Sequence, residues 1–358
     1  MPHCIHFGLC GGCSSDDLGQ PDKAGLLARA LARAGYDDAV VAPLTRVALR
    51  TRRRVDLAAS RKGAQIVLGL HRARSAEVVD MRECVLPRPD FLPLLPPLRE
   101  LLRGLQAFRR EASVVINWVD NGPDILIRAD AALTQPDRAR LIGFAKARGV
   151  PRLCVAEPKQ MPEPVILLAS PVLRFSGVDV TPPAGGFLQA SPDGEAAIIA
   201  AMLAGLPRLR HKSRIIELYS GCGTLSFALA QHARVEAYES DEQAVYAADQ
   251  AARAAGLAGR LSVTRRDLHR RPLLARDFSG AEAVVLDPPF AGAAAQMKFL
   301  AGAGVGRIVY VSCNPAALAQ DAGLLRQAGY RLLGATPIDQ FPFSENIESV
   351  VVFDRKGA

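Results

Sequence analysis

From about Ser191 onward the chain alternates short apolar runs with Ala-rich segments of helical spacing. Strand patterns fall at Arg214–Tyr219, Arg234–Glu239, Arg260–Arg265, Ala283–Asp287 and Arg307–Ser312, and helix patterns at Thr224–Gln231, Asp241–Ala255 and Pro315–Ala328. Such alternation predicts an α/β domain, a parallel sheet covered by helices. The last two strand patterns, Tyr330–Ile338 and Ile347–Phe353, have only a Pro-containing loop between them, which predicts a terminal antiparallel hairpin. The earlier part is mixed. A helix pattern at Lys23–Ala34 precedes a basic strand-like run around Arg46–Ala59, a mostly strand-like run from Gln65 to Val85 and a Leu/Pro-rich helical stretch at Phe91–Phe108. Ser113–Trp118 and Ile125–Arg128 flank the turn signal Asp120-Asn121-Gly122, a hairpin pattern. Two domains are expected, an α+β domain over residues 1–185 and an α/β domain over 186–358.

The length, 358 residues, and the apolar share, 49%, suffice for two cores of that size. Every apolar stretch is interrupted well before the ~20 residues of a membrane span, and the N-terminus carries polar Cys-rich loops in place of a secretory signal's apolar core. A cytoplasmic monomer with no membrane partner is expected. The net charge of +8 changes the picture only through its distribution. Arg46, Arg50, Arg52, Arg53, Arg54, Arg61, Lys62, Arg72 and Arg74 crowd one stretch, which predicts a phosphate-facing surface; the plainer alternative is a solvated basic strand pair.

The candidate chemistry lies at the strand ends of the second domain. Ile215–Thr224 runs from an apolar strand through a turn with Gly221 and Gly223 into a helix, which brings backbone close to a ligand at the sheet's carboxyl edge. Glu239, at the end of the next strand, is placed to accept from the hydroxyls of a ribose. No G-x-G-x-x-G is present to cradle a pyrophosphate, which favours S-adenosylmethionine over a dinucleotide and makes the domain a Rossmann-like, class I methyltransferase. Asp267, near the end of the third strand pattern, is either an adenine-edge residue or a helix N-cap. Asp287-Pro288-Pro289-Phe290 sets a carboxylate on a proline-fixed loop at the same edge.

Ser312-Cys313-Asn314-Pro315 ends the fifth strand with a thiol before a helix N-terminus, where a thiolate is favoured. C5 of uracil is too weak a nucleophile to attack a methyl sulfonium unless a thiolate first adds to C6, and the adduct must then lose the C5 proton. Cys313 is the candidate nucleophile. Glu348, beside the last apolar strand, is a better base than Glu345 in the loop before it, because burial raises a carboxylate's proton affinity.

Seven cysteines without an export signal point to metal or catalytic use rather than disulfides. Cys4, Cys10 and Cys13, with glycines that permit tight wrapping, and the distant Cys84 supply four thiolates to one centre. An iron–sulfur cluster, a structural zinc and uncomplexed thiols all remain open, with the spacing favouring the first over the paired zinc-ribbon arrangement. Cys154 and Cys222 are expected to be packing residues.

Taken together, the Cys-rich start, Gly185-Gly186-Phe187-Leu188-Gln189-Ala190, Leu218-Tyr219-Ser220-Gly221-Cys222-Gly223-Thr224, Asp287-Pro288-Pro289, Ser312-Cys313-Asn314-Pro315 and the final Phe341-Pro342 with Ile347-Glu348 resemble the iron–sulfur RNA 5-methyluridine methyltransferases. The nearest members act on bacterial 23S ribosomal RNA and are relatives of transfer-RNA uridine methyltransferases. The resemblance implies an RNA substrate, ribosomal in preference to transfer RNA, and a 4Fe–4S cluster on Cys4, Cys10, Cys13 and Cys84. It implies a cofactor site of Gln189, Tyr219, Thr224, Glu239 and Asp287, with Cys313 as nucleophile and Glu348 as base. The chain departs from the family where Phe290 follows Asp-Pro-Pro in place of Arg, where Ala317 and Gln320 stand for Thr and Arg, and where Asn346 replaces His. Two other readings compete: an exocyclic-amine methyltransferase using Asp287-Pro-Pro-Phe290, which needs no cysteine, and a noncatalytic RNA-binding or redox protein.

Overall fold

The computed structural model describes residues 4–17, 22–157, 160–210 and 212–355. In chain order, α1 (Lys23–Arg33) and β1 (Thr45–Arg46) come first. They are followed by β2 (Arg54–Lys62), β3 (Gln65–His71), β4 (Val78–Asp80), α2 (Leu95–Gly104), β5 (Glu111–Val119), β6 (Gly122–Arg128), α3 (Gln135–Arg148), β7 (Arg152–Ala156) and β8 (Glu163–Leu167). Among the described residues β2 to β8 form one sheet in the order β4-β3-β2-β5-β6-β7-β8. Its neighbours are antiparallel except β6 and β7, which α3 joins by a crossover. Alternate residues of the strands, among them Leu57, Leu68, Val114, Ile116, Ile125 and Leu153, meet the apolar faces of α2 and α3 in one core.

After a short ribbon of β9 (Leu173–Phe175) and β10 (Val178–Val180) comes α4 (Pro192–Gly205), capped by Ser191, whose side chain accepts from Gly194 N. The second domain continues through β11 (Arg214–Leu218), α5 (Ser226–Ala230), β12 (Arg234–Glu239), α6 (Glu242–Ala254), β13 (Leu261–Arg265), β14 (Ala283–Leu286), α7 (Ala294–Leu300), β15 (Arg307–Ser312), α8 (Pro315–Gln327), β16 (Arg331–Asp339) and β17 (Glu348–Asp354). The sheet order is β1-β16-β17-β15-β14-β11-β12-β13. The strands β15, β14, β11, β12 and β13 are mutually parallel, and β17 lies antiparallel between β15 and β16, the terminal hairpin that the sequence pattern predicts. The two faces bury alternate residues in two cores: Ile215, Val285 and Val309 with α4 to α6, and Ile216, Val284 and Ile308 with α1, α7 and α8.

Three expectations need correcting. The described residues of 1–185 do not separate as a unit, because Leu27 and Leu31 of α1 lie in a core of the second domain and β1 pairs in parallel with β16 at the edge of that domain's sheet. The run around Arg46–Ala59 is two strands, β1 and β2, in different sheets. The basic row is also not all surface: Arg46, Arg50, Lys62 and Arg74 are exposed, whereas Arg53, Arg54 and Arg61 turn toward partners inside the protein. Arg53 is buried and paired with Glu195 of α4, and Arg54 donates to the carbonyls of Gly185 and Gly186. Arg61 donates to the carbonyls of Leu102, Leu105 and Phe108, serving the carbonyl ends that a helix terminus leaves unpaired. A guanidinium presents five donors in a planar fork, which suits it to such carbonyl clusters as well as to phosphate.

Candidate active site

The parallel strands deliver their carboxyl ends to one crevice. At the end of β11, Tyr219 adopts a left-handed backbone (φ 64°), and its N–H and that of Ser220 both donate to the Tyr238 carbonyl of β12. The turn continues through Gly223 (φ 98°), where a Cβ would stand 2.5 Å from the Phe227 ring, so only glycine fits. Glu239 locks this turn: Oε2 accepts from Gly221 N at 2.9 Å, and Oε1 accepts from Asp241 N at 2.8 Å. Thr224 is half-buried where the turn leads into α5. Asp287 joins the same edge through its N–H to the Leu218 carbonyl, 3.3 Å. Asp267 Oδ1 accepts from the N–H groups of His269 and Arg270, capping the turn that follows β13.

A line of side-chain hydrogen bonds crosses the crevice. Gln189 Nε2 donates to Asp287 Oδ2 at 3.1 Å, and Gln340 Nε2 donates both to Gln189 Oε1 at 2.9 Å and to Glu348 Oε2 at 2.8 Å. Gln189, Gln340 and Glu348 are all under 5% exposed. Burial raises the proton affinity of both carboxyls at its ends, Asp287 up to about 7 and Glu348 up to about 8, and each Gln amide pulls in the opposite direction. Cys313 is half-buried at the end of β15. Its thiol is pushed up to about 12, first by burial and then by the negative charges of Glu348 and Asp287, which places nucleophile candidate and both carboxyls in one electrostatic neighbourhood. Asn314 Nδ2 donates to the Phe290 carbonyl at 2.8 Å, tying the Cys313 loop to the Asp-Pro-Pro loop, and the Phe290 ring is 64% exposed.

The structure thus brings together Gln189, Asp287, Cys313 and Glu348, with Tyr219, Thr224 and Glu239 on the adjoining turn. Two participants carry no sequence signal. Gln340 has no motif around it. Glu217 lies buried inside β11, with its carboxyl pushed up to about 8 by burial, and reads in the sequence as a strand residue.

The four N-terminal-domain cysteines lie elsewhere. Cys4, Cys10, Cys13 and Cys84 line a common cavity whose other walls include Leu70, Val79, Met81 and Leu86. Cys4 and Cys10 sulfurs accept from the N–H groups of His6 and Gly12 at 3.4 and 3.3 Å. Burial pushes the thiols of Cys4, Cys84 and Cys13 up, the last to about 12. As they stand, no three Cys, His, Asp or Glu side chains among the described residues form a metal-holding group. Cys154 and Cys222 are buried packing residues, as expected.

Residues 191–356 match the family model described as tRNA (Uracil-5-)-methyltransferase. An uncharacterized RNA methyltransferase of Rhizobium meliloti is 34% identical over 99% of this chain and 86% of its own length. The 23S rRNA (uracil(1939)-C(5))-methyltransferase RlmD of Yersinia enterocolitica is 30% identical over 99% of this chain and 81% of its own. The fold is shared with the Pyrococcus abyssi tRNA (uracil-54, C5)-methyltransferase solved with S-adenosyl-L-homocysteine: TM-score 0.67 and 19% identity over 92% of this chain and 81% of that one. Sequence relatives that span nearly the whole chain, on a methyltransferase fold whose strand ends carry these residues, establish that the chain belongs to the RNA uracil-5-methyltransferase family and is an S-adenosylmethionine-dependent enzyme.

Proposed function

We propose that the enzyme methylates C5 of a uridine in 23S ribosomal RNA through a Cys313–C6 adduct, with Glu348 as the base. The observation that carries the reading is the meeting of the Cys313 thiol with two carboxyls of near-neutral proton affinity. The Yersinia relative supports the ribosomal substrate.

The Cys313 sulfur adds to C6 of the uracil, its proton passing to Asp287 so that Glu348 stays ionised, and the ring's electrons collect at C5 and O4. C5 then takes the methyl group, for which S-adenosylmethionine would supply the electrophilic carbon, its carbon–sulfur bond breaking to leave S-adenosylhomocysteine. Glu348 next removes the C5 proton, the C5–C6 double bond re-forms and the C6–S bond breaks, returning the thiol side chain. A carboxyl held at about 8 is a fitting base for this step, since proton transfer is best served by a pKa near the working pH. Gln189, Tyr219, Thr224, Glu239 and Asp287 are the residues we assign to the cofactor, with Glu239 accepting the ribose hydroxyls beside the turn that it also fixes. One chain supplies every residue of this reading.

Cys4, Cys10, Cys13 and Cys84 are the proposed ligands of a 4Fe–4S cluster. Four soft donors around one largely apolar cavity, two of them already accepting backbone N–H bonds, support this. Such a cluster, when bound, supplies a tie between the N-terminal loop and the segment after β4.

Glu348→Gln should accumulate a covalent RNA adduct with S-adenosylmethionine, seen as a slow band in a denaturing gel, whereas Cys313→Ala should give none. Full turnover by Cys313→Ala would reject the adduct and favour exocyclic-amine chemistry through Asp287 and Phe290. Nucleoside mass spectrometry of ribosomal and transfer RNA from a deletion strain identifies the substrate.

A further inference from the structure

The loop between β16 and β17 has a site residue at each end: Gln340 precedes it and Glu348 follows it, and the two side chains are hydrogen-bonded to each other. Its conformation is not self-sufficient. Phe343, in its middle, is 4% exposed and holds a left-handed backbone (φ 61°), which a bulky residue keeps only when its surroundings impose it.

What imposes it comes from the N-terminal cysteine loop. The Phe343 carbonyl accepts from two successive peptide N–H groups, Ser14 at 2.7 Å and Ser15 at 3.1 Å. Ser14 directly follows Cys13, which lines the four-thiol cavity. A second link runs in parallel. The Arg52 guanidinium stands over the Phe341 ring, 5.8 Å from its centre, and lies within electrostatic reach of Cys84 and Cys13. Lys23 Nζ completes the hold on the loop by donating to the Phe341 carbonyl at 2.8 Å. The thiol cavity and the proposed base therefore share one continuous set of contacts.

We infer that the Cys13-Ser14-Ser15 segment and Arg52 are positioning residues for Glu348, so that the four-cysteine site governs release of the methylated product rather than methyl transfer. The inference rests on Glu348 being the base. Addition of Cys313 and transfer of the methyl group use Cys313 after β15, Asp287 after β14 and the cofactor turn, and among the described residues no hydrogen bond joins these to the cysteine loop. Only removal of the C5 proton requires the carboxyl at the start of β17.

Ser14→Pro removes the shorter N–H bond, and Arg52→Met removes the cation over Phe341 while keeping most of its stem. Both variants of the full chain are to be compared with wild type and Glu348→Gln in three measurements: S-adenosylhomocysteine binding, amide hydrogen exchange over residues 341–348, and a single turnover in which RNA methylation and the lifetime of the RNA adduct are followed separately. Cofactor binding should be unchanged and exchange in 341–348 faster. Methyl transfer should stay within about threefold of wild type while the adduct persists about tenfold longer or more. Ser14→Ala, which keeps the peptide N–H, should restore the short lifetime.

Unchanged exchange with an unchanged adduct lifetime would overturn the inference, as would equal losses in methyl transfer and in release. If Ser14→Pro fails to bind S-adenosylhomocysteine, Arg52→Met decides alone. If Glu348→Gln gives no adduct while wild type does, the base is misassigned and the inference falls with it. Slow release in Glu348→Gln with an unchanged adduct lifetime in Ser14→Pro and Arg52→Met would keep the base and overturn the inference.

Discussion

The Gln340 amide nitrogen stands 2.8 Å from Glu348 Oε2 and also donates to Gln189, so a single N–H₂ group favours the charged form of the proposed base and links it, through Gln189, to Asp287. The hydrogen bond favours ionised Glu348 and thereby opposes burial. Gln340→Met should raise the proton affinity of Glu348 further above about 8. Product release would then slow at neutral pH by about three- to tenfold, with the acid limb of its pH profile moving to higher pH by up to about one unit. A profile of adduct decay that keeps the wild-type midpoint would show that Gln340 has no such effect.

Glu217 gives a prediction about stability. Its folded-state proton affinity, about 8, lies above the ordinary 4.5, so between these values the folded protein holds a proton that the unfolded chain has lost. Stability is therefore greatest on the acid side of this window and falls as pH rises toward 8, by at most about 1.4 kcal/mol per pH unit from this one group. Glu217→Gln should flatten that slope, measured as Tm from pH 5.5 to 8.5. A Tm that rises over this range in wild type and is untouched by the substitution would count against the buried neutral carboxyl.

The purified protein should be brown, with visible absorbance that disappears in Cys10→Ala and Cys84→Ala, because thiolate-to-iron transitions need the complete ligand set. Stoichiometric zinc with no iron after anaerobic purification would reject the cluster.

Phe290 projects an exposed ring one hydrogen bond away from the residue that follows Cys313. Stacking on an unpaired RNA base contributes about 1–3 kcal/mol per base, so Phe290→Ala should weaken RNA binding by about five- to a hundredfold while leaving S-adenosylhomocysteine binding intact. Phe290→Arg should recover part of the affinity with a steeper dependence on salt. Equal RNA affinity in all three proteins would place the ring outside the interface.

Strands such as Arg234–Glu239 and Arg307–Ser312 are legible in the sequence to the residue, the first because Val235 and Ala237 alternate with polar positions, the second because it is a continuous apolar run, each closed by turn chemistry. The helix α4 has no such signature: Ile198, Ile199, Met202 and Leu203 share one face, but Ala196, Ala197, Ala200, Ala201 and Ala204 carry apolar character round the rest of the helix, and no polar face sets the stripe off. The candidate nucleophile, both carboxyls and Gln189 could be named because each stands in a short motif. Gln340 could not, since its role comes from partners at positions 189 and 348 that only the folded hairpin brings together. The basic run was legible only in part, for a related reason. Charge in a sequence does not reveal that Arg53 will be buried against Glu195, far along the chain.

The pairing of Thr45 with Ile338 and Arg46 with Asp339 joins opposite ends of the polypeptide in one sheet. During synthesis the N-terminal segment must wait, with the apolar face of α1 uncovered, until β16 and α8 have left the ribosome. Long-range pairings of this kind form slowly and leave sticky surface exposed meanwhile. A nascent chain stalled before residue 331 should accordingly be captured by holdase chaperones and cleaved between α1 and β2, while the sheet of β2 to β8 already resists protease.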